Sequence, residues 1–168
     1  MNKSLRSAPN ETDALLDKII EKKPLSRELL ARRVSEGFDL NAPGVVIDGS
    51  PLFLSIPVMN IEAFRVLIDL GADPMRKDRD GASLLHQAAN GSHPIIPAIL
   101  AAGVPIEELD GDGNTALLWA ALNGDSRSAE VLLAAGANPD ATNHKGECAR
   151  DILNHRSNHF RFALKKTA

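Results

Sequence analysis

Glycines recur along this chain at a fixed interval, and that interval limits the fold more than any other feature. Gly71, Gly103 and Gly136 stand 32 and then 33 positions apart, and Gly81, Gly113 and Gly146 show the same 32 and 33. Two independent series drawn from only twelve glycines report one period, which marks a repeated structural unit. The unit is clearest in residues 113–138. Thr115 is an N-cap type residue before the apolar run 116–122, so a short helix starts there and stops at Asn123-Gly124. Asp125 or Ser126 caps a second helix, whose Ala129, Leu132 and Leu133 recur at i, i+3 and i+4 before Gly136 ends it.

Gly113, Thr115, Leu117, Ala120, Ala121, Gly124, Leu132, Leu133, Gly136, Ala137 and Asn138 fill in order the pattern of an ankyrin repeat, and the unit resembles that family. The resemblance runs from about Asp13 to the end of the chain. It implies an all-α solenoid of about five helix-turn-helix units joined by short β-hairpin finger loops.

Taken in order, 1–9 reads as a flexible tail before a single ankyrin-repeat domain over 10–168, with a degenerate cap at 12–47. Asn10 or Thr12 caps a helix over 13–22 that turns Leu15, Leu16, Ile19 and Ile20 inward, and Pro24 prevents its continuation. Ser26 starts a second helix with Leu29, Leu30 and Val34 inward. The basic residues outside this pair read as the polar outer surface of a terminal repeat, with a basic binding patch as the alternative. Repeats follow at 48–77, 78–109 and 110–142, and a C-terminal cap at 143–168 holds a last helix over 158–166. In the first of these repeats Asp48 and Met59 stand where glycine is expected, the latter at a turn that prefers positive φ, and Pro57 keeps the first helix short. In the second, His86 matches the family histidine, whose ring hydrogen-bonds the backbone of adjoining loops, and Pro97 distorts the first turn of the second helix.

The 168 residues are 43% apolar with a net charge of −3 and no long apolar run, which fits one soluble, cytoplasmic domain with neither signal peptide nor membrane span. Cys148, the lone cysteine, replaces the threonine of the motif and reads as a small, mostly buried side chain. Asp110, Asp112 and Asn114 imitate the start of a calcium loop, but the pattern then needs Gly and Glu where Thr115 and Ala121 stand. Asp112-Gly113 and Asp80-Gly81 are tight turns instead. His155 and His159 lack the further ligands a zinc site requires. The basic stretch 156–166 reads as the solvated face of a cap, with nucleic acid as the alternative. The sequence offers no phosphate loop, nucleophile elbow or carboxylate pair, and so argues for neither an enzyme nor a cofactor or metal site.

Family resemblance places the fingers and the motif-free first-helix positions on a concave recognition face. Those positions are Leu54, Pro57 and Val58, then Gln87 and Asn90, then Trp119, Leu122 and Asn123. Arg76, Lys77 and Arg79 make one fingertip basic, Glu107, Glu108, Asp110 and Asp112 make the next acidic, and Thr142, Asn143 and His144 form the third. A partner should carry the complementary order, unless adjacent tips pair with each other. Trp119 is the sharpest clue, since it stands where a side chain faces the groove and Trp is enriched among residues that dominate binding. The alternative is that it packs sideways near Gln87 or on a finger. The resulting expectation is a non-enzymatic module, monomeric alone, that binds another protein. It would act either as an inhibitor of the immunity or antitoxin kind, directed at a toxin, effector or enzyme, or as an adaptor within a larger complex.

Overall fold

The structure is a computed structural model that describes residues 11–42 and 50–156. The tail, the Asn10 cap, Asp48, His159 and the helix expected over 158–166 lie outside the described residues. Packing divides the chain into two compact units, Met1–Asp73 and Pro74–Ala168.

The first unit holds α1 (Glu11–Ile20), α2 (Arg27–Ser35), α3 (Pro51–Ser55) and α4 (Ile61–Asp69). Leu15, Leu16 and Ile19 form the buried stripe of α1, whereas Ile20, at its last position, is 40% exposed. Ser26 caps α2 by accepting the Leu29 N–H at 3.3 Å, yet Leu29 itself is 52% exposed. The inward stripe of α2 is set by Leu30 and, four residues on, the half-buried Val34; Leu29 lies a 100° step away from it. Both residues correct the expectation from sequence, which turned them inward with the other apolar residues of these two helices. Ser50 and Pro51 start α3 as expected, and it ends after a single turn before Pro57. Met59 takes the left-handed turn between α3 and α4 with φ +51°. Asn60 then serves both neighbours. Its Oδ1 accepts the Ala63 N–H at 3.0 Å to cap α4, and its Nδ2 donates to the Ile19 carbonyl at 3.2 Å.

The second unit holds α5 (Leu84–Ala88), a 3-10 turn (His93–Ile95), α6 (Ile96–Ala101), α7 (Ala116–Asn123), α8 (Ser126–Ala134) and α9 (Ala149–Arg156). The turn before α6 is where the prolines act. Pro94 and Pro97 each stand in the first turn of a short helix, so the second helix of this repeat begins as 3-10 and continues as α. The pairs Ala88-Ala89 and Ala120-Ala121 are buried and small, which lets α7 pack closely on α5 while Leu117, Leu118 and Leu132 fill the interior. Thr115 caps α7 through the Leu118 N–H, and Gly124 ends it at φ +73°, a conformation that glycine adopts without strain. Asp125 caps α8 with one carboxylate oxygen, and with the other it accepts the Gly91 N–H of the preceding repeat at 2.8 Å.

The fold is all-α, and among the described residues there is no strand. The fingers are short loops without strands, and among the described residues an isolated antiparallel bridge joins Thr142 and Cys148. Cys148 is half-buried, and its thiol donates to Asp151 at 3.4 Å.

Candidate functional site

The fingers of the second unit are built on one device used three times. Asp78, Asp110 and Asn143 fall at the spacing of the glycines. The backbone N–H of each donates to the carbonyl four residues on, at 2.9, 3.1 and 3.0 Å. One oxygen of each side chain accepts two further N–H groups of the same loop, those of Asp80 and Ala82, of Asp112 and Asn114, and of Lys145 and Glu147, at 2.8–3.0 Å. The short acidic or amide side chain thus closes the turn, which accounts for the run that imitates a calcium loop. Among the described residues no group of three metal-binding side chains forms.

The remaining oxygen of each aspartate is met by the first helix of its own repeat. Gln87 Nε2 donates to Asp78 Oδ2 at 3.2 Å, and Trp119 Nε1 donates to Asp110 Oδ2 at 2.7 Å. The motif-free helix position is therefore occupied in both repeats by a donor that reaches its own finger, nine residues back. Asn114 Nδ2 adds a fourth bond to Asp110, at 2.9 Å. Burial pushes the Asp110 carboxyl up, but the donors from Asn114, Trp119 and Asp112 outweigh it and hold the group below the usual carboxylate range.

His86 joins consecutive repeats. Its Nδ1 accepts the Ser83 N–H at 3.2 Å and lies 2.8 Å from Ser83 Oγ, while Nε2 lies 2.9 Å from the Asn114 carbonyl. A backbone N–H can only donate and a carbonyl can only accept, so the ring is the neutral tautomer with its proton on Nε2. Desolvation lowers its pKa from the ordinary value. The structural role expected for this histidine is what the geometry gives.

Adjacent fingers are also tied directly. The Gly111 N–H donates to the Asp80 carbonyl at 2.9 Å, and one step along the His144 N–H donates to the Asp112 carbonyl at 3.1 Å. Asn143 Nδ2 reaches Asn114 Oδ1 at 2.8 Å. Lys77 pairs with Glu108 and donates to the Leu109 carbonyl at 2.9 Å, so the basic tip and the acidic tip meet at this point. Glu107 accepts the Asn138 N–H at 2.7 Å.

The sequence-derived site residues fall into three groups. Trp119, Gln87, Asp110, Glu108 and Lys77 are brought together by the contacts just described. Arg76, Arg79, Glu107, Asp112, His144, Asn90, Leu122 and Asn123 are exposed in the same unit, and the His144 ring lies over Gly113. Leu54, half-buried, belongs to the first unit. Trp119 does not stand free in a groove: it is half-buried, anchored on its finger and set edge-on to His86, with ring centroids 5.5 Å apart and planes at 77°. This matches the sideways packing that the sequence left open and still leaves part of the ring at the surface. Sequence reasoning places Asp78 on the fingertip but misses that its side chain closes the loop, a role signalled by its spacing from Asp110 and Asn143.

In the second unit, helix pairs whose loops are closed by their own side chains and pinned to one another are the units of a repeat protein. The family model for ankyrin repeats matches residues 26–143 in three copies, and the chain belongs to the ankyrin-repeat family. Ankyrin repeats are a protein–protein interaction module. Relatives include the palmitoyltransferase AKR1 of Lachancea kluyveri, 35% identical over 67% of this chain and 16% of that protein. A putative ankyrin repeat-containing protein of Treponema pallidum is 29% identical over 83% of this chain and 44% of its own length. The human palmitoyltransferase ZDHHC17 is 29% identical over 78% of the chain and 26% of that enzyme. The chain thus spans less than half of each of these relatives. No described helix is long and apolar enough to cross a membrane.

Proposed function

We propose that the second unit binds a partner protein, without chemistry of its own, through the fingers and the motif-free ends of α5 and α7. The observation that carries this reading is Trp119: a large ring held by Asp110 and His86, partly exposed, beside the exposed Leu122 and Asn123. A fixed aromatic loses little freedom when a partner covers it, so most of the burial appears as affinity. Asn90, Arg76, Arg79, Asp112 and His144 form the polar surround. Inhibition of a toxin, effector or enzyme and service as an adaptor in a larger complex would use the same residues.

Capture from native extract, followed by affinity measurement on the captured protein, tests this. Trp119→Ala should keep a cooperative urea transition and lose about 2 kcal/mol or more of binding. Unchanged affinity, or outright unfolding, counts against the role. Adding the wild-type chain to the captured protein's own assay then separates the two modes: lost activity assigns inhibition, and full activity assigns an adaptor.

A further inference from the structure

The surroundings of Trp119 select a partner group by charge. The indole N–H is committed to a carboxylate, which pushes electron density into the ring and strengthens its negative face. All four groups that donate to Asp110 are neutral, so these bonds keep its negative charge in place without cancelling it. Lys77 and Glu108 act on the neighbouring His86 ring in opposite senses and pair with each other, so Asp110, bonded to the indole itself, is the carboxylate whose charge stands uncancelled beside the His86–Trp119 pair. The ring thus offers a fixed π surface in a negative local field.

Resting on the protein-binding reading above, the geometry points to a more specific one: the open part of the Trp119 ring is a seat for an arginine side chain of the partner. A planar guanidinium stacks on an aromatic face and sheds water at lower cost than an ammonium, so arginine fits better than lysine. An acidic side chain would meet Asp110 with like charge. A neutral apolar one would cover the ring but gain nothing from the field.

Trp119 is the only tryptophan and the chain has no tyrosine, so ultraviolet emission reports on this seat alone. The probes are hexa-arginine and its uncharged isostere hexa-citrulline at about 50 mM salt, where screening is weak. Hexa-arginine should shift the emission saturably, and hexa-citrulline should leave it unchanged. By calorimetry Trp119→Leu should bind hexa-arginine roughly three- to thirty-fold more weakly than wild type, with Trp119→Phe between them. The Phe variant keeps a ring in place should the Leu variant prove unstable. Equal binding by all three, an equal response to citrulline, or an unmoved emission overturns the arginine seat. If the emission is unmoved while extract capture still depends on Trp119, the seat alone is wrong; if capture is also indifferent to Trp119, the protein-binding reading falls with it.

Discussion

Trp119 and Asp110 are joined by a hydrogen bond of 2.7 Å from the indole Nε1 to the carboxylate Oδ2, and Gln87 and Asp78 repeat the same link one repeat earlier. A helix position that the family motif leaves free is used twice to brace a finger. The brace makes the aromatic surface and the finger one rigid feature, and it gives the first test. Trp119→Phe keeps the ring but removes the donor, so it should lower stability by about 1 kcal/mol in urea titrations, the worth of one hydrogen bond on a half-exposed carboxylate. An unchanged midpoint would mean that the brace contributes nothing.

His86 predicts a pH dependence. Its folded pKa lies below the unfolded value because burial disfavours the charged ring, so the folded state binds fewer protons. The stability this gives is fully present above the unfolded pKa of about 6.5 and is lost as pH falls below it toward the folded pKa. Protonation would also place a donor on Nδ1 against the Ser83 N–H. The urea midpoint should fall as pH drops below about 6.5, and His86→Leu should flatten that part of the profile while costing about 1–3 kcal/mol at pH 8, because the Asn114 carbonyl loses its partner.

Asp125 joins helix capping to repeat stacking. Burial raises its carboxyl, but bonds from Ser128, Gly91 and Arg127 outweigh this and hold it below the usual range. Its contribution is present above an unfolded pKa of about 3.9 and disappears as pH falls through the folded value. Asp125→Ala should cost about 1–2 kcal/mol at neutral pH, near the top of the capping range because the Gly91 N–H is released as well. Circular dichroism melting checks this.

Met59 holds φ +51° with its side chain 44% exposed, so its backbone is strained while its side chain has little burial to lose. Met59→Gly should relieve about 1–2 kcal/mol of left-handed strain and add about 0.5–1 kcal/mol of chain entropy cost, a net gain of about 0.5 kcal/mol. A lower melting point would contradict this account of the turn.

These cases show what the residues made legible. The period, the caps at Ser26, Ser50, Thr115 and Asp125, the short α3 and the role of His86 follow from local rules: glycine at left-handed turns, hydroxyl or carboxylate at helix starts, proline in first turns. Leu29 and Ile20 misled because hydrophobicity alone does not say which side of a short helix has a neighbour. Trp119 was legible only as two alternatives, for a different reason. Its position in the motif tells where its Cβ starts, but its nitrogen finds a carboxylate nine residues back along a loop whose path no helical periodicity encodes. The pairing of Lys77 with Glu108 likewise depends on how close two fingers lie, which is set by the contact of Gly111 with Asp80, where a Cβ on Gly111 would come within 2.8 Å of the carbonyl oxygen.

The most direct test of the binding surface is site-specific photocrosslinking in native extract, with the crosslinker at the exposed Leu122 beside Trp119 or at the exposed Ala134 on α8. The account predicts a discrete protein adduct from position 122 that excess unlabelled wild-type chain suppresses and that position 134 does not give. Equal labelling from both positions, or an adduct confined to 134, would contradict it.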